Sequence, residues 1–168
     1  WSSDVCSSDL VDRRRDGRLL FAKLRADVVD EHGRRVPGAV FLRGNAVAVL
    51  VVLNDGKEKH TVLTVQPRFP AGLYESVEIP AGMCDDHGDL VGVAAREVEE
   101  ETGISLTHDR LCYLGEFHPS CGGTDECVTL YACEVTVTPE DLEDMHGREH
   151  GHEDEHERIH LRIERLEN

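Results

Sequence analysis

Residues 82–104 read Gly82-Met83-Cys84-Asp85-Asp86-His87-Gly88-Asp89-Leu90-Val91-Gly92-Val93-Ala94-Ala95-Arg96-Glu97-Val98-Glu99-Glu100-Glu101-Thr102-Gly103-Ile104. The stretch divides in two. A Gly- and Asp-rich loop, 82–89, runs into an apolar-periodic segment carrying Leu90, Val91, Val93, Ala94 and Val98. That periodicity predicts a helix, and Gly103 supplies a residue suited to the left-handed position that ends one. On such a helix Glu97, Glu100 and Glu101 stand at i, i+3 and i+4, so their carboxylates share one face. Like charges at this spacing repel, and in the second half of a helix the macrodipole disfavours them too. Two readings follow: a solvated acidic face, or a hard divalent cation offsetting the repulsion.

Composition narrows the setting. The 168 residues are most simply one domain, large enough for a substantial core. With 34 acidic against 18 basic residues the formal net charge is -16. Such a field repels nucleic acid and anionic membranes, so neither is expected as a partner. No apolar run is long enough to span a bilayer, and no signal peptide is visible. The six cysteines are scattered without paired spacing, which predicts free thiols in a reducing, cytoplasmic compartment.

Residues 1–10 have no period, resemble translated adapter sequence, and are set aside from fold reasoning. Leu20, Ala22, Leu24, Ala26 and Val28 alternate as a strand, 30–33 make a turn, and Val36 to Phe41 returns, with Pro37 marking an edge. The expected organisation is therefore an antiparallel unit at 11–45 followed by a main domain at 46–168. Ala46 to Leu53 is a continuous apolar run, the signature of a strand buried on both faces. Further strands are expected at 61–66, 76–79, 111–117, 128–137 and 158–163. The segment from Pro139 is acidic, with 147–156 expected as a loop.

Arg68 is planar and permanently charged. It reads either as a phosphate clamp or as an ordinary surface Arg. The paired Gly122 and Gly123 let backbone approach a ligand closely, and Glu126 can accept from ligand hydroxyls; the alternative is a plain Gly-rich hairpin. His152-Glu153-Asp154-Glu155-His156 fits the zinc-peptidase pattern literally, but no apolar face flanks it. Adventitious metal adsorption by the neighbouring histidines is the better reading there.

Loop, helix and acids together resemble the Nudix box, from Gly82 to Arg96-Glu97-Val98-Glu99-Glu100-Glu101-Thr102-Gly103-Ile104. One position departs: Gly88 stands where the family has a supporting Glu, with Asp89 beside it. Gln66-Pro67-Arg68, the Glu-x-Pro-Ala-Gly run from Glu78, and Pro119 lying 16 positions past Gly103 are similar to the ADP-sugar diphosphatase branch. The resemblance implies an α/β fold, an α/β/α sandwich with a mixed sheet, preceded by a small antiparallel N-terminal hairpin that helps form a homodimer. It implies Mg²⁺ or Mn²⁺ held by Glu97, Glu100, Glu101 and the Ala81 carbonyl, with Arg96 orienting the acids. Glu78 would contact ribose or pair with a nearby Arg. On the acidic loop Glu155 would be the general base and Glu157 its helper. The implied substrate is a small nucleoside diphosphate sugar, ADP-ribose or ADP-glucose, hydrolysed to AMP and sugar phosphate. The alternatives are a regulatory protein that binds nucleotide with little catalysis, or a hydrolase of another nucleoside diphosphate derivative. Family members continue into a last helix, here expected to be cut short.

Overall fold

The computed structural model describes residues 2–13 (backbone alone for 2–9), 17, 19–84, 88–150 and 158–166. Two compact units are present: Trp1–Asn45 with Phe117–Val128, and Ala46–Glu116 with Thr129–Asn168.

In the first unit, β2 (Leu19–Val29) is the centre of a four-stranded antiparallel sheet with β1 (Ser2–Arg13), β3 (Arg35–Val36) and β4 (Ala39–Leu42). The alternation of β2 is realised: Lys23, Arg25 and Asp27 are exposed while Ala22 is buried. β1 (Ser2–Arg13) takes in Ser2 to Leu10, which the sequence reading sets aside. Ladder bonds need only backbone N–H and C=O groups, so a strand can form without an apolar period. The return strand expected over Val36 to Phe41 is split at Pro37 and Gly38. There the Ala26 N–H donates to the Gly38 carbonyl at 2.8 Å, and a Cβ on Gly38 would overlap the Ala26 carbonyl. Pro37 has no N–H for the ladder, and only Gly tolerates so close a backbone approach. At the 30–33 turn, Asp30 accepts from the backbone N–H groups of His32 and Arg34, both at 2.9 Å.

The second unit is built on an eight-stranded mixed sheet. Its order is β11 (Glu149–His150), β12 (Ile159–Arg165), β6 (Lys59–Arg68), β5 (Ala46–Asn54), β10 (Val128–Thr136) and β9 (Cys112–Phe117). In addition β7 (Leu73–Glu78) pairs with β6, and β8 (Ala81–Met83) pairs with β5. The apolar run is the centre of this core. Val47, Val49, Val51 and Leu53 are fully buried and pack with Val62, Val98, Ile159 and Leu161. Each such side chain contributes about 1.5–3 kcal/mol of apolar burial.

Two helices pack on the sheet. α1 (Leu90–Thr102) lies against β5 and β8, and α2 (Pro139–Met145) against β12. α2 is a departure from the sequence reading, which took its segment simply as acidic. Thr138 Oγ1 accepts the Asp141 N–H at 3.1 Å, and Asp141 accepts the Thr138 N–H at 2.7 Å. This reciprocal cap, with Pro139 in the first turn, starts a helix whose few apolar residues, Leu142 and Met145, reach the core. Likewise Glu149–His150, inside the expected loop, pairs with β12. Among the described residues, no helix is long and apolar enough to cross a membrane.

Candidate active site

The site begins with two backbone elements. β8 is held by β5 in the register Ala48↔Ala81, Val47↔Gly82 and Ala46↔Met83, and the Val49 N–H donates to the Pro80 carbonyl at 2.9 Å. Because β5 is buried on both faces at this end, Ala81 and Gly82 are fixed against the core. α1 is set over them by its own punctuation. Asp89 caps it, accepting the Gly92 N–H at 2.9 Å. Gly103 ends it at φ +74°, its N–H donating to the Glu99 carbonyl at 2.8 Å.

Val93, Ala94 and Val98 point into the core. Helical periodicity then directs Glu97 and Glu101, one turn apart, at β8. Glu101 is 6 % exposed, and its Oε2 accepts the Ala81 N–H at 3.0 Å. The Glu97 carboxylate lies against Gly82, so closely that a Cβ there would overlap it. Glu100 sits at the margin, 4.0 Å from Arg96 Nε, with 36 % of its side chain exposed. That distance is the outer limit of an ion pair, and it is the described link from Arg96 to the acids.

The three acids are thus not equivalent: two are drawn onto the Ala81–Gly82 backbone, and Glu100 stands exposed at the edge. Among the described residues, no three His, Cys, Asp or Glu side chains surround a single point closely enough to hold an ion as they stand. The donor set nevertheless fits a hard divalent cation. It consists of carboxylate oxygens beside a backbone segment, in a cradle that exists only because residue 82 has no side chain.

Gly88 forms part of a turn and has open space around its Cα. Asp89 does not substitute for the acid the box has there, because its carboxylate is committed to the helix cap. Arg68 and Glu78 meet side by side: Nε to Oε1 at 3.0 Å and Nη2 to Oε2 at 2.7 Å, a two-pronged pair joining β6 to β7. For Glu78 this is the second of the two roles the sequence left open.

Gly122, Gly123 and Glu126 lie in the first unit. The Phe41 N–H donates to the Gly123 carbonyl at 2.8 Å, and Arg43 Nε meets Glu126 Oε1 at 3.1 Å. His118 Nδ1 lies 2.9 Å from the Glu126 carbonyl, so that nitrogen carries the proton. Glu155 and Glu157, with the rest of 151–157, lie outside the described residues. Sequence reasoning missed the cradle at Gly82, the cap at Asp89 and the pairing of Arg43. The first two had a signal, a Gly at the strand end and an Asp before the apolar period. Arg43 had none.

A family model described as the NUDIX domain matches residues 43–166. The chain belongs to the Nudix family. Nudix hydrolases act on small nucleoside diphosphate derivatives and use divalent metal ions, typically Mg²⁺. The Nudix chain here is 43% identical over 143 residues to Nudix hydrolase 14, chloroplastic, of Arabidopsis thaliana, covering 79% of this chain and 46% of that protein. It is 35% identical over 120 residues to the methanol dehydrogenase activator of Bacillus methanolicus, covering 70% of this chain and 60% of that protein. Against the ADP-ribose pyrophosphatase of Bacillus subtilis (strain 168) it is 32% identical over 123 residues, covering 73% and 63%. The chain therefore spans between 46% and 63% of the length of these relatives.

Proposed function

We propose that this Nudix chain is a divalent-metal-dependent hydrolase of the diphosphate in ADP-sugars, ADP-ribose or ADP-glucose, releasing AMP and a sugar phosphate. The observation that carries the reading is the convergence of Glu97 and Glu101 on Ala81 and Gly82. Carboxylate oxygens gathered beside a backbone segment are the ligand type that a hard divalent cation takes. The naming of one relative as an ADP-ribose pyrophosphatase supports the substrate class.

Glu97, Glu100, Glu101 and the Ala81 carbonyl would hold Mg²⁺ or Mn²⁺. When bound, the ion supplies neutralisation of the diphosphate and acidification of a water. The chain's own groups do the rest. Arg68 grips phosphate oxygens through its planar fork, released from or shared with Glu78, which keeps it aligned beforehand. Glu155 accepts the proton of the attacking water, and Glu157 orients it. The water oxygen bonds to phosphorus as the bond from phosphorus to the bridging oxygen breaks. Gly122, Gly123 and Glu126 contact the sugar. The homodimer and the cytoplasmic setting belong to the same proposal.

A second reading, nucleotide binding with little catalysis, is favoured by the Asp89 cap, which leaves no acid at the box position occupied by Gly88. Incubation with Mg²⁺ or Mn²⁺ and a panel of nucleoside diphosphate derivatives, scored as AMP release, decides between them. Release from ADP-sugars supports hydrolysis. Saturable binding without release supports the second reading.

A further inference from the structure

Arg43 holds two consecutive acids of one loop from its two ends. Its backbone N–H donates to Asp125 Oδ1 at 2.7 Å, joined by the Gly44 N–H at 3.2 Å. Its side chain reaches the next residue, with Nε 3.1 Å from Glu126 Oε1. The Glu126 side chain is only 14% exposed, whereas that of Arg43 is 43% exposed.

The path of the loop does not need the guanidinium. The Phe41 N–H fastens Gly123, the Ser120 carbonyl accepts from the Gly123 and Thr124 N–H groups at 3.0 and 2.9 Å, and backbone N–H groups satisfy Asp125. His118 holds the Glu126 carbonyl. What remains undetermined by these bonds is the direction of the Glu126 carboxylate, which stands next to the like charge of Asp125. The guanidinium fixes it. Pairing at Oε1 still leaves acceptor capacity on a carboxylate, which has two oxygens and about four lone-pair sites.

We propose that Arg43 is a positioning residue that orients the Glu126 carboxylate to accept hydroxyls of the substrate's sugar. This rests on the reading of Glu126 as a sugar contact. A rigid acceptor loses less freedom when a ligand arrives than a rotating one, so the effect falls on binding of the sugar and not on the bond-breaking step.

The test uses the full chain with Mg²⁺ and two substrates that share the ADP diphosphate: ADP-ribose, and the β-pentyl ester of ADP, which has no sugar hydroxyls beyond the diphosphate. The expected result is that Arg43→Met and Glu126→Gln each raise KM for ADP-ribose about tenfold, with kcat within about twofold. The pentyl ester is unaffected. Arg43→Lys recovers part of the loss, because it keeps the charge but not the fork. The double variant is no worse than Glu126→Gln alone. If Glu126→Gln raises KM selectively and Arg43→Met does not, the positioning role is overturned while the sugar contact stands. If Arg43→Met raises KM for both substrates alike, the residue is scaffold only and the proposal is overturned. If Glu126→Gln has no effect, or the unaltered chain cleaves neither substrate, the underlying reading falls and takes the proposal with it.

Discussion

The Glu97 carboxylate occupies the space beside Gly82 that the Cβ of any other residue would fill. An acid of α1 and a strand glycine are thus one structural feature, although they stand 15 positions apart in the sequence. Gly82→Ala should displace the carboxylate without unfolding the chain, because the obstructing atoms are the far end of a flexible side chain. A shift of about 1 Å in a reacting group costs about 100-fold. The expected outcome is a turnover loss of that order, a higher Mg²⁺ requirement and a nearly unchanged Tm. Retained activity at ordinary Mg²⁺ would remove Glu97 from the site.

Glu101 separates charge from hydrogen bonding. Glu101→Gln keeps an oxygen for the Ala81 N–H and should fold normally, but it loses the negative charge, and turnover should fall at least ~100-fold. Glu101→Ala removes the acceptor of an N–H held against the core. It should cost in addition about 1–3 kcal/mol in urea unfolding. Equal activity in Glu101→Gln and the unaltered chain would contradict a charge role.

For Arg68 the stability effect is expected to be small. The pair with Glu78 is partly exposed, 41% and 27%, and pairs of that kind contribute about 0–1 kcal/mol. Arg68→Met should therefore leave Tm within a few degrees while raising KM for ADP-ribose by about 10–100-fold, the range of a charge-assisted contact. Arg68→Lys should lie between. A KM that does not move in either variant makes Arg68 a strand-to-strand tie and nothing more.

Cys133 gives a pH signature. Burial pushes its thiol from 9.0 up to about 11, against a smaller lowering by Arg110. The folded state therefore holds its proton more tightly than the unfolded state. Its stabilising contribution is intact below about pH 9 and is lost as pH rises through about 11. That rise corresponds to roughly 2–3 kcal/mol. Urea midpoints of Cys133→Ala should fall less steeply over that window than those of the unaltered chain. Parallel curves would show that the thiol is not desolvated.

Much of this architecture is legible in local sequence. The α1 stripe, its stop at Gly103, the buried β5 run and the alternation of β2 all arise from spacings of a few residues, and each forms as its period predicts. The α2 cap was also written locally, as Thr138 followed three positions later by Asp141, but the acidic composition around it hides that signal. The interruption at Pro37–Gly38 was half visible: Pro marks an edge, yet the contact that requires Gly38 is with Ala26, across the sheet.

By itself the sequence determined that three acids would ride one side of a helix ended by a glycine, since that follows from 3.6 residues per turn and nothing else. Only the tertiary structure decided their separate fates. Glu101 goes to the Ala81 N–H, Glu97 to the bare Cα of Gly82, and Glu100 to the rim beside Arg96. It also chose between two roles for Glu78 and joined Arg43 to a loop 82 residues away. The physical reason is range: helical phase is set by neighbouring residues, whereas these partners meet only through strand register and the packing of α1 on β8.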